Sequence, residues 1–305
     1  MKTTILAAAP TETTKRTRYN NRFEVTMIDT IWTLKGGKVL GPAPFFIAGI
    51  VNVTPDSFYD GGTHENTHSG VAHGLELARQ GATILDVGGE STRPYADSVS
   101  EAEELDRVIP VIRGLVDADV DVVISVDTYK AKVAARALEA GADILNDVSA
   151  FRFEPELLDV IAEYKPGYVL MHSLGRPEDM QDEPRYTDVV GEMLAFFEER
   201  LTLLDKAGLP MDRVTLDPGI GFGKTLEHNL SILQNIERLV ELGFPVFMGL
   251  SNKSLWQGLL GLAVGERQNA TQAATALLAA KGVPIHRVHE VALTQQTLTI
   301  VRKLA

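Results

Sequence analysis

A chain of 305 residues, 45% of them apolar, is long enough for one large α/β domain and has the apolar mass for a sizeable core. Its net charge of −12, from 29 basic and 41 acidic residues, leaves no basic footprint for nucleic acid beyond Lys15, Arg16 and Arg18. No run approaches the ~18 uncharged apolar residues of a membrane helix, and the lack of cysteine excludes thiolate catalysis, disulfides and cysteine metal sites.

That composition fits a reducing compartment, so the cytoplasm is the expected location. An anionic small substrate stays open, because a few cations focused in one cleft can outweigh a diffuse acidic surface. The start, MKTTILAAAP and then TETTKRTRYNN, has too short an apolar piece for a signal sequence, and residues 1–22 read as a disordered tail. Between 23 and 40, FEVTMIDTIWTL, GGK and VL predict a short β-hairpin with a Gly-Gly turn, placed to plug the bottom of the larger α/β unit. From Pro44 onward no linker, charge block or low-complexity stretch intervenes, so 23–305 reads as a single domain.

Within it, eight short apolar runs each end in a polar or charged group and lead into a helix-like stretch. The endings are Asn52, Asp86, Asp127, Asn146–Asp147, His172, Asp217, Ser251 and Arg287/His289. Strands alternating with amphipathic helices predict βα units on a parallel sheet, and eight of them match a closed (β/α)8 TIM barrel with an N-terminal β-hairpin extension. In that fold chemistry sits at the C-terminal ends of the strands, so these residues converge on one mouth. Helices are expected at 70–80, 103–115, 129–140, 155–164, 186–207, 227–242, 254–263, 270–281 and 290–303. Ser100 with Glu103 forms a capping-box pattern, and Pro110 is expected to kink or shorten the helix it opens.

Several motifs bear on chemistry. PGIGFGKT, Pro218 to Thr225, ends like a Walker A loop, but proline stands where the pattern needs its first glycine and has no N–H for a phosphate. The glycines instead let the backbone turn tightly beside a ligand. HENTH, His64 to His68, spells the zincin pattern; its Asn and Thr, after Gly61–Gly62, favour a surface loop over a buried helix. In DVGGESTRP, Ser91, Thr92 and Arg93 suit an oxyanion. Arg287 and His289 alternate with Val288 and so share one strand face, again as cations near the mouth. Lys253, with Ser251 and Ser254, marks another strand-to-helix turn. Asp127, Asn146 and Asp217 offer acceptors and a donor to a heterocycle, and buried carboxylates are costly unless something satisfies them. His73, His172, His228 and His286 have no partner pattern and read as structural.

These segments together resemble the pterin-binding family and, within it, the dihydropteroate synthases. The resemblance runs from about Phe46 to Ala305. It rests on GIVNVTPDSFYDGG (49–62), ILDVGGESTRP (84–94), SVDTYK (125–130), ILND (144–147), LDPGIGFGKT (216–225), GLSNKS (249–254) and RVHE (287–290). It implies a transferase that condenses 6-hydroxymethyl-7,8-dihydropterin pyrophosphate with p-aminobenzoate, a sulfonamide target, and by family analogy a homodimer. The alternative is a pterin-binding paralogue without synthase activity. The resemblance further implies that Asp127, Asn146, Asp217 and Lys253 hold the pterin, with Asp86 and Met171 lining its pocket. Asn52 would coordinate Mg²⁺, and Thr92, Arg287 and His289 would hold the diphosphate. Phe58, Pro94, Phe222, Lys253 and Ser254 would form the p-aminobenzoate subsite, closed by Asp56 and Arg93. The family's usual Ser-Arg-Lys reads Ser251-Asn252-Lys253 here, which removes one cation beside the pterin. Tyr95 and Glu290 stand in place of the usual small residue and Asp.

Overall fold

Alternation along each apolar run decides which side chains face inward, and the strands obey it with a period of two. The computed structural model describes residues 29–54, 63–93, 95–96 and 98–304. The expected tail at 1–22, the start of the hairpin at 23–28, Asp56, Phe58 and Pro94 lie outside them. Eight parallel strands succeed one another: β3 (Phe46–Asn52), β4 (Ile84–Gly88), β5 (Val123–Asp127), β6 (Ile144–Asp147), β7 (Gly167–Met171), β8 (Val214–Asp217), β9 (Phe247–Gly249) and β10 (Ile285–Val288). Neighbours pair in sequence order from β3 to β8, and β10 lies between β3 and β9. A parallel bridge from Leu216 to Val246 and the Leu216 N–H bond to the Pro245 carbonyl (2.9 Å) close the ring between β8 and β9. The expected TIM barrel is the observed one.

The outward set, including Ile47, Val51, Leu85, Val87, Ile124, Val126, Leu145, Leu170 and Leu216, packs against the helices. The inward set forms a second core at the lower end: Phe46, Ala48, Ile84, Val123, Ile144, Val169, Phe247 and Ile285. The hairpin of β1 (Thr30–Thr33) and β2 (Val39–Ala43) sends Trp32 and Leu34 into this core, as a plug. Trp32 is fully buried and its indole N–H donates to the Arg213 carbonyl at 2.8 Å. Gly167 makes room for the plug, because a Cβ there would lie 2.5 Å from Leu34 Cδ2. The predicted turn is a 3-10 turn, Lys35–Gly37, with Gly36 at φ 69.

The helices are α1 (Thr63–Arg79), α2 (Glu101–Asp117), α3 (Ala131–Ala140), α4 (Leu157–Tyr164), α5 (Val189–Lys206), α6 (Leu226–Gln234), α7 (Glu237–Val240), α8 (Leu255–Leu260), α9 (Gln268–Ala280) and α10 (Val291–Leu304). Three expectations are corrected. HENTH opens α1 and is not a loop: packing of Val71, Leu75 and Leu77 along the same helix outweighs the weak helix preference of Asn and Thr. Pro110 sits inside α2 without ending it. The carbonyl it deprives of a partner belongs to exposed Asp106, which water can serve. The helix expected at 227–242 is broken after Gln234, where the Asn235 side-chain amide donates to the Ser231 carbonyl at 2.8 Å and competes with the helical pattern. The Ser100 cap holds, its hydroxyl accepting from Glu103 N at 3.3 Å.

The plug is tested by Trp32→Ala. Deleting this buried indole should cost about 3–5 kcal/mol in chemical denaturation, and a loss under about 1 kcal/mol would show that the hairpin does not seal the barrel.

Candidate active site

One pleat above the apolar plug the inward positions turn polar. Register places Asp86 beside Ser125, Asp127 beside Asn146, and Met171 beside Asp217, while Arg287 lies across from Ala48 and Gly249. Arg287 spans this layer. Its Nε donates to Asp86 Oδ2 and its Nη2 to Asp127 Oδ2, each at 2.6 Å. Asp86 also accepts from the Ser125 hydroxyl at 2.6 Å and from Asn146 Nδ2 at 3.0 Å, and it is fully buried. Asp127 is less well served, for its Oδ1 is buried and has no partner.

The electrostatics follow from that packing. Burial pushes the Asp127 carboxyl up to about 7, with Asp86 adding to the rise and Arg287 opposing it. Burial raises Asp217 to about 6 against the pull of the Gly219 N–H bond (2.7 Å) and Lys253. Burial lowers Lys253 to about 8, and its ammonium sits 4.1 Å from the centre of the Phe222 ring. For Arg287 burial acts downward, but Asp86 and Asp127 outweigh it and the net shift is upward.

The PGIGFGKT loop turns as its glycines allow. Gly219, Gly221 and Gly223 all have positive φ, and a Cβ on Gly219 would lie 2.0 Å from the His172 carbonyl oxygen. Lys224, which the sequence left without a role, holds the turn from inside. Its buried ammonium donates to the carbonyls of His172 (3.1 Å), Gly219 (3.0 Å) and Phe222 (3.0 Å). Thr225 and His228 then cap α6 reciprocally, which gives His228 its structural part.

The loop after β4 is clamped by a second group that sequence reading missed. Glu90 accepts from the Tyr129 hydroxyl (2.8 Å), Lys130 Nζ (2.5 Å) and Val99 N (3.0 Å). Lys130 also bonds buried Glu104 on α2, and Arg107 donates to the Gly89 carbonyl at 2.7 Å. Burial raises the Glu104 carboxyl, with Lys130 opposing. This clamp fixes the base of the segment that carries half-buried Thr92 and exposed Arg93. The signal was present as a lysine three residues past Asp127, but only the fold brings Glu90 to it.

Other expected residues fall into place around the same mouth. Asn52 ends β3 opposite Gly88. Met171 and Phe222 share a small apolar cluster with Tyr129, Val148 and Met180, and Ser254 is exposed at the start of α8. His289 follows β10 half-buried, held by Ser251, and burial with Arg287, Arg93, Lys253 and His73 lowers its pKa to about 4. His172 faces outward instead, edge-on to Phe196 of α5 at 5.0 Å, and Asp147 turns away to accept from Ser149 N, Phe151 N and the Tyr168 hydroxyl. Asn252 occupies the left-handed region (φ 59), and its carbonyl accepts from buried Arg267 at 2.7 Å. The segment departing from the usual Ser-Arg-Lys is thus pinned from beneath by another arginine.

Comparison with known proteins identifies the family. The family described as "Pterin binding enzyme" matches residues 48–289. A dihydropteroate synthase of Streptococcus pyogenes is 41% identical over 273 residues, covering 89% of this chain and 100% of the relative. The solved Yersinia pestis dihydropteroate synthase, in complex with a sulfonamide drug, superposes with a TM-score of 0.84 at 39% identity, covering 90% of this chain and 98% of the other. The Xanthomonas albilineans enzyme with 4-aminobenzoic acid gives 0.83 at 44% identity, with the same coverage of 90% and 98%.

A carboxyl raised above its unfolded value has a native state that keeps its proton longer, so its contribution to stability falls as pH rises between the two values. Asp127→Asn mimics the protonated form. Relative to the parent, the variant should gain stability progressively from about pH 4 to about pH 7, on the order of 2–4 kcal/mol, then hold that margin. Denaturation midpoints across that range test it, and parallel pH curves for the two proteins would refute it.

Proposed function

The chain belongs to the pterin-binding enzyme family, and we propose that its site condenses 6-hydroxymethyl-7,8-dihydropterin pyrophosphate with p-aminobenzoate to 7,8-dihydropteroate and pyrophosphate, in folate biosynthesis. It is a transferase acting on small molecules. The observation that carries the reading is the buried Asp127 oxygen without a partner, beside Asp86 and Arg287 groups that are tied to one another. A buried carboxyl oxygen without a partner is costly until something meets it, and a pterin N–H fits it.

Asp127, Asn146, Asp217 and Lys253 hold the pterin ring, with Asp86 fixing Asn146 and Arg287 and Met171 lining the pocket. The bond from the pterin methylene to the diphosphate oxygen breaks, and its electrons leave with the diphosphate. The remaining methylene cation is flanked by the carboxylates of the barrel mouth, a preorganised negative field. The aromatic amine then forms the new C–N bond and loses one proton. Phe222, Lys253 and Ser254 supply a ring face, a cation and a hydroxyl for p-aminobenzoate. Asp56, Phe58, Arg93 and Pro94 complete that subsite and exclude water that would otherwise trap the cation. Sulfonamides are expected at the same subsite.

Thr92, Arg287 and His289 serve the diphosphate. Arg287 stands between the two halves, because its guanidinium already binds the carboxylates of the pterin side. Asn52 is the proposed Mg²⁺ ligand. Among the described residues no three His, Asp or Glu side chains form a cation cage, so a single amide oxygen at the mouth fits an ion that keeps its waters and arrives with diphosphate. Bound there, it would neutralise charge on the leaving group.

The protein is further proposed to be a cytoplasmic homodimer. Among the described residues no helix is long and apolar enough to cross a membrane. Leu277 on α9 and Leu293, Ile300 and Leu304 on α10 stand exposed on two neighbouring helices, Leu304 at 83%. Leu277→Glu with Ile300→Glu should convert a dimer to a monomer in sedimentation velocity; a parent protein that sediments as a monomer at micromolar concentration would refute the assembly.

The reaction itself is tested by pyrophosphate release with both substrates and Mg²⁺, where steady turnover is expected. Asp127→Asn should weaken dihydropterin binding at least about 100-fold, as loss of a buried charged hydrogen-bond partner does. Tight pterin binding without turnover in the parent would leave a binding protein instead.

A further inference from the structure

The hydroxyl of Ser251 has more neighbours than an ordinary serine, and counting their protons determines what each can do. Three polar atoms surround Ser251 Oγ: His289 Nδ1 at 2.8 Å, Glu290 Oε2 at 3.1 Å and the backbone N of His289 at 3.3 Å. A serine hydroxyl has one proton to give and two lone pairs to receive with. The backbone N–H can only donate, so it takes one lone pair. The Glu290 carboxylate can only accept, so it takes the single hydroxyl proton. What remains on Oγ is one lone pair, and the atom facing it is His289 Nδ1. That nitrogen must therefore carry a proton, or two acceptors would face each other in a half-buried place.

We propose that Ser251 and Glu290 are positioning residues that fix the tautomer of His289, with the proton on Nδ1 and the lone pair on Nε2. Glu290 acts through Ser251, and the order Glu290–Ser251–His289 saturates every valence of the hydroxyl. The consequence rests on the diphosphate role proposed above for His289. The charged groups that act on the ring are Arg287, Arg93, Lys253 and His73, with Glu290 the carboxylate behind the serine. Burial first, and those charges after it, keep the ring neutral without ligand. A diphosphate oxygen approaching Nε2 meets a lone pair, not a donor, until the ring gains a proton. Diphosphate binding then draws one proton from solution onto Nε2, and the resulting imidazolium donates from both nitrogens, one held by Ser251 and one directed to the ligand.

The test reads ring nitrogens in the full-length protein by ¹⁵N–¹H correlation spectra, with His289 assigned from its loss in His289→Asn. Without ligand, the Nδ1–H form of His289 should exceed the Nε2–H form by about tenfold or more, the margin one hydrogen bond to a charged group supplies. In Glu290→Ala the serine proton is released to Nδ1 and the preference should reverse, while the other six histidines keep their signals. An Nε2–H ring in the ligand-free parent, or an unchanged tautomer in Glu290→Ala, would overturn the proposal. Addition of inorganic pyrophosphate with Mg²⁺ should bring a proton to Nε2. If the tautomer is as stated but pyrophosphate leaves the ring neutral, the diphosphate role of His289 fails while the fixed tautomer stands.

Discussion

The contact on which the site depends is one guanidinium shared by two buried carboxylates. Arg287 reaches across the inside of the barrel to Asp86 and Asp127, two residues on adjacent strands. Taking such charges out of water costs several kcal/mol per ion in real proteins, and their mutual attraction returns that only when the geometry is good and the remaining lone pairs are satisfied. Asp86 meets this condition with Ser125, Asn146 and Arg287 all donating to it. Asp127 does not. Among these paired charges the Asp127 oxygen is left open, and that is where a ligand contributes most.

The plug beneath makes that arrangement possible. Trp32 and Leu34 join the lower inward layer of the barrel and close it to water. Above this dry floor Asp127 and Asp217 stand one pleat higher than inward Ser125 and Thr215, and desolvation leads the upward shift of both carboxyls. The N-terminal hairpin therefore acts on the chemistry from the opposite end of the strands, through the dielectric and not through contact.

The inward positions were readable from the chain because they obey a simple period. Asp86 and Asp127 fall on the same parity as Ile84 and Val123, so apolar floor and polar mouth come from one alternation. The barrel followed from counting such runs, and His172 could be set aside because nothing near it in the chain made a partner; the fold turns it outward to Phe196. Three features were not readable. HENTH carries turn-favouring letters yet is helical, because packing further along α1 decides the matter. The Glu90–Lys130–Glu104 clamp joins three separate segments, and no local spacing announces it. Parity puts Arg287 beside His289 and leaves it open to an anionic ligand or a carboxylate, but not to these two carboxylates in particular. Its length and the barrel's radius, which let it reach Asp86 and Asp127, are properties of the closed ring.

PGIGFGKT shows how far letters can mislead when their chemistry is not followed through. In a phosphate-binding loop, glycine N–H groups and a free lysine point together at an anion. Here the first glycine is Pro218, the turn is built on positive φ at three glycines, and the lysine points back into the loop. Lys224 directs its three N–H donors to three carbonyls, so its charge is absorbed by backbone dipoles. The Gly219 carbonyl also accepts from the Phe222 N–H at 3.0 Å, so lysine and turn hold the same atom. The cation of this loop thus holds Gly219 and Phe222 in place, and it is Lys253, over the Phe222 ring, that faces the site. One lysine shapes the wall and the other is displayed on it, and the division follows from which carbonyls each can reach.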